Sequence, residues 1–135
     1  MARDKNQPPR RRSAELEIQA SFFRGLLARD PGSIEVMEEL ADVLLAQGLH
    51  QEVMALDQQL TELRPADPDI RYNLACSLTR NQEFERAATE LSRAIELGFR
   101  DVDSLQSDPD LEDLRAHPAF GRVRACLRRF MAPPE

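Results

Sequence analysis

Two histidines, two cysteines and a short run of acids are the side chains here with chemistry to offer. Catalysis by proton transfer or nucleophilic attack needs a nucleophile, a base and an orienting group within reach of one another. His50 falls in the turn between two helical segments and His117 directly before Pro118, and both positions suit a surface or capping histidine. Asp101, Asp103 and Glu112 take the first, third and twelfth places of a calcium-binding loop, where carboxylate oxygens at that spacing hold a hard cation. However, Leu105 occupies a ligand place, Gln106 stands where the turn needs glycine, and Pro109 stiffens the segment. These acids read better as helix-start charges, favoured by the positive end of the helix dipole. Cys76 and Cys126 lie far apart with no second pair to complete a zinc ligand set. The expectation is therefore a noncatalytic protein with no metal site and no cofactor, from a reducing, cytoplasmic compartment.

The elements around these residues come from composition and periodicity. The chain has 135 residues, a formal net charge of -6 and one lysine, Lys5; the length fits one domain of ordinary size. Charge is segregated: Arg3, Lys5, Arg10, Arg11 and Arg12 crowd the start and acids dominate the remainder, which argues against a nucleic-acid groove built from the folded region. No stretch approaches the roughly 18 to 20 apolar residues that span a bilayer, and no apolar core follows the initial charges. Secretion and membrane insertion are not expected.

Residues 1–12, polar and broken by Pro8 and Pro9, read as a disordered basic arm. Leu16, Ala20, Phe23 and Leu27 then recur at helical spacing, with Ser13 as cap, giving an opening helix over 13–29. Met37, Leu40, Ala41 and Leu44 mark the next helix, Gly48 the reversal, and Val53, Leu56, Leu60 and Leu63 its partner, so 33–65 forms a hairpin. Asp67-Pro68 opens a second hairpin over 67–98, with Ile70, Leu74, Ala75 and Leu78 facing Phe84, Ala87, Ala88, Leu91 and Ile95. Phe84 is expected as a buried aromatic between hairpins. Capping helices follow over 101–130, the last with Phe120, Val123, Leu127 and Phe130 inward, and 131–135 form a tail.

Shifted by ~34 residues, Leu40, Ala41, Leu44 and Leu63 land on Leu74, Ala75, Leu78 and Leu97, and Pro31 lands on Pro65. With Met37-x-x-Leu40-Ala41-x-x-Leu44 and Leu74-Ala75-x-x-Leu78 in this register, the chain resembles the tetratricopeptide repeat (TPR) family over about half its length. Asp110 to Phe120 is similar to the ending after repeat groups in many bacterial members. The sequence departs from the family pattern at Arg71 and Asp57, where aromatics are usual, at Leu44 and Leu78 in place of tyrosine, and at Phe99 in place of the closing proline. The fold expected from the resemblance is all-α: antiparallel helical hairpins stacked as a short TPR solenoid with C-terminal capping helices.

The resemblance implies that the first helix of each hairpin lines a concave groove that takes an extended or helical peptide. Its outward positions would be Glu38, Asp42, Asp69, Tyr72, Asn73, Cys76 and Arg80, with Glu35, Glu39 and Thr79 beside them and Cys76 as a small apolar filler. Family members that grip the acidic carboxyl terminus of heat-shock chaperones need lysine and asparagine where this chain has Glu38 and Asp42, and Asn73 alone matches. A basic or basic-aromatic segment is therefore the expected ligand. The alternatives are a substrate chaperone like those of type III secretion, or a self-associating homodimeric module whose basic arm regulates the groove.

Overall fold

In the computed structural model, which describes residues 9–131, every regular element is helical and no strand occurs among the described residues. The elements are α1 (Pro9–Arg29), α2 (Ile34–Ala46), α3 (His50–Leu63), α4 (Pro68–Arg80), α5 (Phe84–Glu96), α6 (Val102–Ser107), a 3-10 turn (Pro109–Leu111), α7 (Glu112–Arg115) and α8 (Phe120–Met131). Contacts divide the chain into two units, Met1–Leu56 and Asp57–Glu135, with the boundary inside α3.

The first unit is built by α1 packing on α2. Ala20 from α1, Leu40, Ala41, Val43 and Leu44 from α2, and Val53 from α3 form its core, with Leu16, Phe23 and Leu27 half-buried against it. α1 begins earlier than its periodicity implies. Pro9 takes the first helical position, where its missing N–H costs nothing and its fixed φ suits the helix, and Arg10, Arg11 and Arg12 are good helix formers. Ser13 is thus inside α1 rather than its cap, and the last four residues of the expected arm are helical. The rest of that arm lies outside the described residues, as do residues 132–135 of the tail; Met131 closes α8.

The second unit centres on α5, which packs on α4 and on α8. Ala87, Ala88, Leu91, Ala94 and Ile95 are all completely buried, and the alanines let the neighbouring helices approach closely. Leu105, Leu111 and Leu114 seal the unit from the C-terminal side. The buried stripe of α8 is Phe120, Val123 and Cys126, with Leu127 half-buried and Phe130 exposed, so the stripe runs one residue off the expected face. Phe84 is half-buried and stacks on His117, with ring centroids 4.6 Å apart; it is a lid on the α5 start rather than a core residue.

α2 and α4 begin and end alike. α2 and α4 each run 13 residues. Ser33 caps α2 by accepting from the Val36 N–H, and Asp67, its counterpart, caps α4 by accepting from Asp69 and Ile70 at 2.9 and 3.2 Å. After each helix the chain reverses through a left-handed residue: Gly48 at φ 76° and its counterpart Gln82 at φ 62°. Leu40, Ala41 and Leu44 are buried in one unit, as Leu74, Ala75 and Leu78 are in the other.

Three of the residues that depart from the expected repeat pattern acquire a partner within the second unit. Arg71 donates to the Pro65 carbonyl through Nε and Nη2 and pairs with Glu90 on α5 at 2.7 Å. Asp57 is buried and accepts a hydrogen bond from the Ser77 hydroxyl. Phe99 is buried and lies flat on Tyr72, with ring centroids 4.3 Å apart and an interplanar angle of 7°.

Candidate functional site

The seven side chains expected on the groove divide between the two units. Glu38 and Asp42 belong to the first; Asp69, Tyr72, Asn73, Cys76 and Arg80 belong to the second.

In the first unit, the exposed side of α2 carries Glu35, Glu38, Glu39 and Asp42, residues at helical spacings that return to one face. Glu35, Val36, Glu38 and Glu39 line an open depression of about 330 Å³. Three carboxylates around one half-buried valine suit a cationic side chain with an aliphatic stem, an arginine or a lysine, whose methylenes lie on Val36 while its charge meets the acids.

In the second unit the arrangement differs from the expectation. Asp69 and Asn73 are exposed, but Tyr72 is only 8% exposed, Cys76 4% and Thr79 2%. What covers the α4 face is the chain's own 3-10 turn, packed against it. The turn is fixed by Asp108. One carboxylate oxygen caps it by accepting from the Asp110 N–H at 2.9 Å, and the other accepts from the Tyr72 hydroxyl at 2.5 Å. Arg115 on α7 donates to the Asp108 and Leu105 carbonyls. Arg80 closes the far side: its Nη1 lies 3.2 Å from the Asp110 carboxylate, off hydrogen-bonding geometry, and its Nη2 donates to Ser77 at 3.3 Å. Asp57, Ser77, Arg80, Asp110, Asp108 and Tyr72 thus form a polar chain across this unit.

Burial, reinforced by the Asp108 and Asp110 carboxylates, pushes the Cys76 thiol up to about 12. Burial and the hydrogen bond to Asp108 hold the Tyr72 phenol well above its usual range. Neither group is a nucleophile near neutral pH. The Cys76 sulfur and carboxylate oxygens of Asp108 and Asp110 lie within 4.8 Å of one another, the one group of metal-type donors found among the described residues. The Arg80 guanidinium shares that corner and Asp108 is already committed on both oxygens, so the donor set reads as the acceptor side of a hydrogen-bonded clasp. Sequence reasoning missed it because Asp108 meets α4 from a distant part of the chain; the Asp-Pro-Asp signature of a capped turn was legible, and its docking place was not.

The other acids and bases have local structural work. Asp101 caps α6 by accepting from the Ser104 N–H and hydroxyl, and these bonds lower its carboxyl below the usual range. Asp103 and Glu112 stand in the first turns of α6 and α7. The His117 Nδ1 accepts from the Ala119 N–H at 3.0 Å at the entry to α8. Cys126 is buried, with its thiol toward the Ser92 carbonyl at 3.4 Å; burial is the main cause that raises its pKa.

No family model matches the chain, and no solved structure matches it. Among curated proteins it is similar to a chloroplastic protein of Arabidopsis thaliana, at 26% identity over 76 residues. The match covers 54% of this chain and 23% of that protein, so it spans less than a quarter of the relative's length.

Proposed function

We propose that this chain is a noncatalytic, TPR-like protein-interaction module that holds a basic peptide segment on the acidic face of α2. The observation that carries the reading is the depression bounded by Glu35, Glu38 and Glu39 with Val36 beside them. A surface of one charge sign steers an oppositely charged segment, and the apolar floor adds contact that plain charge attraction lacks. The ~34-residue correspondence of caps, reversals and core positions between α2 and α4 supports the TPR-like part of the reading.

The α4 counterpart of that face is already filled by Asp108 and its turn, so the reading restricts peptide capture to the first unit. The test is fluorescence anisotropy with a labelled Arg/Lys-rich peptide and an acidic control. Wild type is expected to bind the basic peptide only, more weakly as salt rises, because charges at an exposed face are screened beyond ~8 Å at physiological ionic strength. Glu35→Arg/Glu38→Arg/Glu39→Arg is expected to abolish binding while circular dichroism stays unchanged. Equal binding by wild type and variant, or no binding by wild type, rejects the proposal.

A further inference from the structure

α1 is apolar on two sides, and its own unit covers only one. Leu16, Ala20, Phe23 and Leu27 turn into the core of the first unit. On the opposite side Ile18 is 69% exposed and Phe22 60%, flanked by exposed Ala14, Ser21 and Gly25. A Cβ added at Gly25 would meet nothing within 4 Å. Nothing inside the unit therefore calls for glycine there, although a mid-helix glycine is less stable than alanine. Small residues beside two large apolar ones are what a second helix needs in order to approach closely.

We propose that this face seats a second copy of the chain, α1 against α1, antiparallel and centred on Phe22. The charges select that occupant. With Phe22 opposite Phe22, residues equally far before and after it meet, which brings Glu15 of one copy to Arg29 of the other, twice by symmetry. The same geometry addresses the start of the helix. Arg10, Arg11 and Arg12 sit at the positive end of the α1 dipole, and its first turn contains no acid. An antiparallel copy brings its Asp30 opposite Ala14, one helical turn from Arg11. A parallel copy would set Glu15 on Glu15 and the arginines on one another. A foreign helix of a single charge sign would be repelled at Glu15 or at the arginines. The surface is distinct from the acidic face of α2, and the inference does not rest on peptide binding.

An isologous pair of this kind is expected to be a concentration-dependent dimer, since one helix pair lies at the small end of specific interfaces. Sedimentation equilibrium over a wide concentration range tests it. The mean mass of wild type should rise from 15.4 kDa toward twice that value. Phe22→Glu should stay monomeric throughout, with unchanged helicity, since Phe22 is largely exposed and loses within the chain its edge contact with the Phe23 ring. Glu15→Arg should weaken the dimer about tenfold, as two exposed attractions become repulsions, and Glu15→Arg/Arg29→Glu should restore it. Wild type that remains monomeric at every concentration, a Phe22→Glu dimer as tight as wild type, or a double exchange that fails to rescue would each overturn the proposal.

Discussion

At the residue scale, the clearest local tension is Gln82. It holds the left-handed conformation at φ 62°, as Gly48 does after α2 at φ 76°, and a non-glycine residue there costs about 1–2 kcal/mol. No hydrogen bond of its side chain is needed to make the turn, because the backbone N–H groups of Asn81, Gln82 and Glu83 return to Ser77, Thr79 and Leu78. Gln82→Gly is therefore expected to raise the urea midpoint by the equivalent of about 1 kcal/mol, less the entropy that glycine adds to the unfolded chain. The residue scale also shows what sequence hides. Asp57 and Arg71 stand where the resemblance implies aromatics, yet one accepts from buried Ser77 and the other clamps Pro65 to Glu90. A substitution in a degenerate pattern is legible; its compensating partner, which comes from another helix, is not.

At the element scale, α5 is the helix on which the second unit depends, and Phe84 and Leu91 separate its rim from its centre. Leu91 is completely buried on α5, which packs on both α4 and α8; Leu91→Ala should cost about 2–5 kcal/mol in chemical denaturation. Phe84→Ala, at the half-buried start of the helix, should fall below the ~3–5 kcal/mol typical of a buried phenylalanine, although its stack on His117 is lost. If Phe84→Ala proves the more damaging of the two, the assignment of the core to the middle of α5 is wrong. Helix positions from Ser33 to Glu96 were largely readable, because caps, apolar stripes and reversals repeat at a fixed spacing. The start of α1 was not: Pro8-Pro9 followed by arginines carries the same composition whether it begins a helix or a loose arm. The covered face of α4 was equally hidden, since tyrosine, cysteine and threonine at outward positions do not announce that a distant aspartate will close over them.

At the scale of the whole molecule, the clasp between α4 and the 3-10 turn holds two titratable groups whose protons burial retains. The thiol of Cys76 is raised from 9.0 to about 12, and the phenol of Tyr72 is raised from 10.0. In both cases the folded protein holds its proton more tightly than the unfolded chain. Their contribution to stability is then fully present below about pH 9 and is lost as pH rises toward the folded values. Urea midpoints should fall between about pH 9 and about pH 11. A midpoint that stays level over that interval would show that the thiol and the phenol are not enclosed. In the same way, Cys76 should resist alkylation in the native protein and react rapidly in urea. The acidic α2 face and the net charge of -6 act over a different range, through salt rather than pH, so peptide binding and folding should respond to different variables.

Tyr72 is the only tyrosine in the chain, and there is no tryptophan. Its ring is stacked on Phe99 and its hydroxyl faces a carboxylate, an environment that quenches phenol emission. The protein consequently carries a built-in optical reporter of a single event, the lifting of the Asp108 turn from α4. An increase in tyrosine fluorescence that precedes the loss of helical circular dichroism would time that opening without any label, and would separate it from unfolding of the helices beneath.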